Sequence, residues 1–162
     1  MRTSQLSKLS TKLHNISELH QINEQIAPLK VLADRERASI YGLTGMVYTP
    51  HIDDYMQVSI KKAEILACLK KQGVIEFSEV EIISTALDFL HKRAKNNTVV
   101  EYDGNNYQRR FSPLKLSKSG KIVRTWAKYW LLQLPNGKID PEWESQVREV
   151  WPTYFLIKSV DI

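Results

Sequence analysis

Between His91 and Tyr129 the chain carries Lys92, Arg93, Lys95, Arg109, Arg110, Lys115, Lys118, Lys121, Arg124 and Lys128 against only Glu101 and Asp103. Tyr107, Trp126 and Tyr129 are interleaved with these cations. Ammonium and guanidinium groups neutralise phosphates and aromatic faces stack on unstacked bases, so this mixture suits a nucleic-acid partner. The same residues also suit a plainer arrangement, with the lysines solvated and Trp126, Trp130, Trp143 and Trp151 in a core. Catalysis finds less to work with. The chain has no Gly-rich phosphate cradle, no nucleophile elbow, no HExxH pair and no Cys/His ligand set. His14, His20, His51 and His91 are scattered, and the pairs Asp53 with Asp54 and Glu79 with Glu81 are adjacent or capping. His51, Asp53 and Asp54 come nearest to a metal set but lack further ligands at a recognisable spacing. The expectation is a binding protein without metal or cofactor, not an enzyme.

The elements that must position these groups start with residues 56–96. Met56, Val58 and Ile60 alternate with Gln57, Ser59 and Lys61, the period of a strand with one apolar face. A short amphipathic helix follows and stops at Gly73. Residues 52–72 also read as one continuous helix, with Met56, Ile60 and Leu69 on its buried side. Ser78 and Glu81 have the spacing of a capping box, and Val80, Ile83, Leu87 and Leu90 give the helix after them an apolar stripe. His91, Lys92, Arg93 and Lys95 close that helix with cations that suit its dipole.

This order of strand, short helix, glycine and capped helix resembles the ribbon-helix-helix DNA-binding regulators, over residues 56–96 alone. The strand-to-Gly73 spacing is shorter than the family's by roughly one helical turn. The resemblance implies a homodimer whose paired strands enter the major groove of double-stranded DNA. Gln57, Ser59 and Lys61 would then read base edges, and the backbone at Ser78 and Glu79 would hold a phosphate.

Residues 98–102 and 107–111 predict a hairpin around Asp103-Gly104-Asn105-Asn106, ended by Pro113. Its basic returning strand beside a helix resembles the wing of a winged helix-turn-helix protein, a second DNA-binding geometry. Residues 114–120 read as a basic link. From Lys121 the pattern fits a helix through Ile122, Trp126, Tyr129 and Trp130, and equally a strand through Val123, Thr125, Ala127, Tyr129 and Leu131. Asp140-Pro-Glu-Trp143 is a helix start, Pro152 its stop, and residues 154–160 read as a last strand.

Ahead of all this, Leu6, Leu9, Leu13, Ile16, Leu19, Ile22, Ile26 and Leu29 recur at spacings of three and four. They predict a long helical arm over residues 4–41, kinked or restarted at Pro28, whose narrow stripe suits either dimerisation or the chain's own core. Residues 42–54 read as a connecting loop, with Asp53 or Asp54 as a helix cap or strand-end charge.

The 162 residues suffice for one compact domain with an arm, and a formal charge of +5 raises the prospect of a polyanionic partner. Cys68 is the only cysteine, so no disulfide framework exists and a reducing cytoplasm is the expected setting. The first residues lack a secretion signal's apolar run, and no segment is apolar enough to cross a bilayer. The expectation is thus an α+β chain with a helical arm (1–41) and a compact nucleic-acid-binding body (42–162). That body has a strand-helix-helix core, a basic hairpin and a mixed C-terminal region. In function it is expected to be a small dimeric DNA-binding repressor of bacterial, phage or mobile-element origin. DNA-contact candidates are Gln57, Ser59, Lys61, Ser78, Glu79, Lys92, Arg93, Arg109, Arg110, Lys118, Lys121 and Arg124. A protein-binding module, such as a nuclease inhibitor or complex subunit, and a binder of single-stranded nucleic acid are the competing expectations.

Overall fold

Asn15 opens the first helix by accepting the backbone N–H of Glu18 at 3.0 Å, and α1 then runs from Ile16–Ile40. The computed structural model describes residues 14–44 and 47–157, so the earlier part of the expected arm lies outside the described residues. Pro28 does not break α1. It sits on an exposed turn, where the carbonyl freed by its missing N–H can bond water instead. The chain divides into two compact units, Met1–Glu76 and Phe77–Ile162, and the described residues are α+β, four helices with a three-stranded antiparallel sheet.

The first unit is built from α1 and α2, Pro50–Lys71. Residues 56–61 are therefore helical, which corrects the expected strand. Met56, Val58 and Ile60 alternate over too few residues to separate the two periods. Ile52, Ile65 and Leu69 are the buried residues of α2, and Ile65 and Leu69 stand one helical turn apart on one face. Ile65 and Leu69 form a core with Ile22 of α1, and Leu19, Val58 and Ile75 pack against it. Leu19 and Ile22 of the α1 stripe thus serve the chain's own core. The expected loop also ends earlier, at Thr49, which takes the N-cap position of α2 and donates its hydroxyl to Asp53 at 3.2 Å.

Thr49 gives the helix no side-chain cap, and Glu36 of α1 supplies one. Its carboxylate accepts the backbone N–H of His51 at 3.1 Å and of Ile52 at 3.0 Å, placing negative charge on the positive end of α2. Glu36→Ala is expected to destabilise this unit by about 1.5 kcal/mol, read as a lower urea midpoint of the helical circular-dichroism signal. A change below about 0.3 kcal/mol would count against the cap. At the other end Gly73 has φ +79. Its N–H bonds Lys70 O at 3.1 Å while Val74 N–H bonds Leu69 O at 3.0 Å, the paired bonds of a Schellman stop.

In the second unit, α3 covers Glu79–Leu90. Ser78 caps it as its spacing predicts, with Oγ accepting Glu81 N–H and the Glu81 carboxylate accepting Ser78 N–H. Lys92, Arg93 and Lys95 follow the helix and are not in its last turn. Strand β1, Val99–Tyr102, turns through Asp103 (φ 50) and Gly104 (φ 80) into β2, Asn105–Leu116. Two successive positive φ values make a type I′ turn, whose twist matches the strands it joins. β2 pairs on its other side with β3, Val123–Gln133, giving the order β1-β2-β3.

Pro113 does not end β2. β1 pairs only as far as Gln108, the same edge of β2 last donates from Arg109 N–H to Thr98 O and from Phe111 N–H to Asn96 Oδ1, and the register shifts just after Pro113. The segment from Lys121, open between helix and strand in the sequence, is the strand. α4, Pro141–Val150, starts on Asp140, which accepts Glu142 N–H at 3.0 Å. Where the expected final strand begins there is instead a 3-10 turn, Pro152–Phe155, and residues 158–160 of that expectation lie outside the described residues. Pro152 restarts the chain there, and Ser112 Oγ ties the turn to the sheet by donating to Tyr154 O at 2.7 Å. The core joins Val80 and Leu87 of α3, Tyr107, Trp130 and Leu131 of the sheet, and Trp143 and Val147 of α4.

Candidate nucleic-acid interface

Alternation along β3 divides the outer part of the β2–β3 hairpin into two unlike faces. Val123, Ala127, Tyr129 and Leu131 are half-buried or buried on one. The 3-10 turn covers that face, where the Tyr129 and Phe155 rings lie 5.0 Å apart. Burial raises the Tyr129 hydroxyl pKa, and the nearby Arg110 partly offsets the rise. The opposite face presents Arg124, Trp126, Lys128 and Trp130 in succession.

Pairing adds the matching residues of β2, since partners in an antiparallel ladder share a face. Arg109 lies opposite Trp130, Phe111 opposite Lys128 and Pro113 opposite Trp126. At the inner end of this face α3 covers the sheet. Asp88 Oδ1 accepts Trp130 Nε1–H at 2.9 Å and the Nη1–H of Arg109. The Arg109 guanidinium sits 4.8 Å from the Trp130 ring centroid. Arg109 is only 5 % exposed, so it is a structural cation and offers no group to a phosphate.

The outer end is open. Trp126 is 42 % exposed, and its ring centroid lies 6.5 Å from that of Phe111 at an interplanar angle of 41°. Lys128 Nζ lies 5.2 Å from the Phe111 centroid. Lys118, Lys121 and Arg124 are exposed around the hairpin's tip. Among the described residues none of Lys115, Lys118, Lys121, Arg124 and Lys128 has a carboxylate partner. Unpaired cations around an exposed Trp126 beside a half-buried Phe111 can attract a polyanion and stack on its bases.

The other residues singled out from the sequence fall elsewhere. Arg110 is half-buried and donates to Asn97 Oδ1 at 3.1 Å. Lys92 and Arg93 edge a shallow groove of about 520 Å³ with Phe89, Leu90, Thr98 and Val100, and Lys92 Nζ lies 5.3 Å from the Phe89 centroid. Ser78 and Glu79 stand at the start of α3. Glu79 lines a second hollow with Asp140 and Glu142, and this concentration of carboxylates repels phosphate. Gln57, Ser59 and Lys61 belong to α2 of the first unit, with Gln57 and Lys61 exposed and Ser59 half-buried. No strand there carries them into a groove.

Phe111 is not among the residues that the sequence singles out, and for Trp126 the sequence favours a core position. One signal could have found Trp126. Arg124, Trp126 and Lys128 share a parity in β3, and a face carrying two such cations is not a buried face. Among the described residues, no helix is long and apolar enough to cross a membrane, and no cluster of His, Cys, Asp or Glu has a metal-holding arrangement. No family model matches the chain, and neither does any curated protein or solved structure.

Proposed function

We propose that this chain is a nucleic-acid-binding protein that grips phosphates with the outer half of the β2–β3 hairpin, in the role of a small DNA-binding regulator. What supports the reading is one observation. The open hairpin face carries Arg124 and Lys128, and the tip beside it Lys118 and Lys121, all without carboxylate partners, while the 3-10 turn packs on the opposite face.

Fluorescence anisotropy of a labelled mixed-sequence duplex across a salt series tests it. Binding is expected to weaken linearly in log–log form with salt. The combined substitution Lys118→Glu, Lys121→Glu and Arg124→Glu is expected to lower affinity by more than about tenfold at low salt. It should also flatten the slope by about one for each phosphate contact removed. Gln57→Ala and Lys61→Ala, on the helix of the first unit, should leave both quantities unchanged. Equal affinity of the triple variant and the parent would remove the basis of the reading.

A protein-binding module is the second reading, and α3 supplies its support. Ile82 is 60 % and Phe89 72 % exposed, with Leu90 beside them, an apolar face on a helix that already buries Val80 and Leu87 within its own unit. Gel filtration of the purified chain, a pull-down from lysate and the duplex anisotropy above separate the two. A dimer suits the regulator, whereas a stoichiometric foreign protein with no affinity for duplex suits the module.

A further inference from the structure

Resting on the nucleic-acid reading above, we infer that the open hairpin face is a stacking platform for unpaired bases, so that its preferred ligand is a single strand and not a duplex. Trp126 carries the inference. Its ring is 42 % exposed although this unit has an aromatic core that takes in Trp130 and Trp143. Leaving so large an apolar ring in water costs stability that a core position would recover. Among the described residues nothing from the second unit's core covers it, and its neighbours on the same face are those that a nucleotide needs.

Phe111 lies 6.5 Å away, centroid to centroid, and Pro113 lies directly opposite, so the floor of the platform is apolar. Arg124 and Lys128 flank Trp126 at two residues on either side, about 7 Å along the strand in each direction. Cation, aromatic, cation is the order in which a single strand offers phosphate, base, phosphate. A duplex keeps the faces of its bases inside the stack and can use only the cations. The covered opposite face, through Tyr129 and the 3-10 turn, holds the hairpin rigid behind the platform. Bases of any identity present a π-face, so the platform is tolerant of sequence.

The test is anisotropy with the full chain and three labelled probes of equal length: oligothymidylate, an abasic sugar-phosphate strand and a duplex. An oligouridylate arm distinguishes an RNA from a DNA source, and tighter binding of either single strand than of the other two probes supports the inference. The parent protein is expected to bind oligothymidylate more tightly than the abasic strand. Trp126→Ala should lower affinity for the base-bearing strand roughly tenfold or more while leaving the abasic strand and the duplex unchanged. Trp126→Phe should keep most of the affinity. Trp126 is a surface residue, so the urea midpoint of each variant should match the parent and confirm the fold. Equal binding of base-bearing and abasic strands, or an equal loss on all three probes in Trp126→Ala, would overturn the platform while leaving phosphate binding in place. Absence of binding to every probe overturns the nucleic-acid reading itself, and the platform with it.

Discussion

Asp88→Ala is expected to cost the second unit about 3 kcal/mol of stability, one of the two largest single-residue effects anticipated for the chain. The Asp88 carboxylate is half-exposed, but the groups that it satisfies are not. Arg109 is 5 % exposed, and its Nε is buried without a hydrogen-bond partner. Removing Asp88 would leave that guanidinium with no counter-charge and would leave Trp130 Nε1–H without its acceptor, each a buried polar group left unmade. Because water reaches the carboxylate side of the pair, the loss should fall at the low end of the range for a broken buried ion pair. Asp88→Asn keeps an acceptor for Trp130 and is expected to lose about half as much. Asp88→Ala combined with Arg109→Met removes both charges and should recover part of the loss. Urea unfolding followed by tryptophan fluorescence measures all three. A single-variant loss below about 1 kcal/mol would show that Arg109 is solvated and free for other partners. The result also bears on binding, because the guanidinium lies 5.9 Å from the Phe111 ring and so backs one side of the platform.

What could be read from the sequence was whatever is decided within a few residues. The Ser78–Glu81 box and the Asp140-Pro141 start rest on side chains that satisfy their own neighbouring backbone, and the Asp103-Gly104 turn on two successive residues that accept positive φ. The α+β class followed from these. Residues 56–61 were harder, because a five-residue alternation fits both periods until Ile65 and Leu69 are seen packed on Ile22. The strand past Pro113 depends on β1 having already ended, and the strand from Lys121 depends on β2 lying alongside it. Neither condition is local. The same limit applied to the site. A run of cations is visible in any sequence, but the pairing of Pro113 with Trp126 and of Phe111 with Lys128 sets which aromatic rings stand among them. That pairing is a fact of register. Arg109 and Arg110 show the cost of reading composition alone, since they are neighbours in sequence and point to opposite faces with different partners.

Leu69→Ala is expected to cost the first unit about 3 kcal/mol, enough to unfold much of a helical pair whose buried centre is Ile22, Ile65 and Leu69. Leu69 is fully buried, and its carbonyl accepts the Val74 N–H in the Schellman stop, so the void opens beside the point where α2 ends. Two short lengths of packed helix offer little else to close around a missing isobutyl group. The chain carries its own reporter for where the damage stops. Trp126, Trp130, Trp143 and Trp151 all fall within residues 77–162, the second unit, whose core shares no residue with the first. Far-ultraviolet circular dichroism should therefore lose helical signal at lower urea in Leu69→Ala while the tryptophan transition keeps the parent's midpoint. Joint movement of the two transitions would mean that the units unfold as one cooperative block. The hairpin platform could then be perturbed from the first unit, and substitutions there would no longer serve as neutral controls for binding.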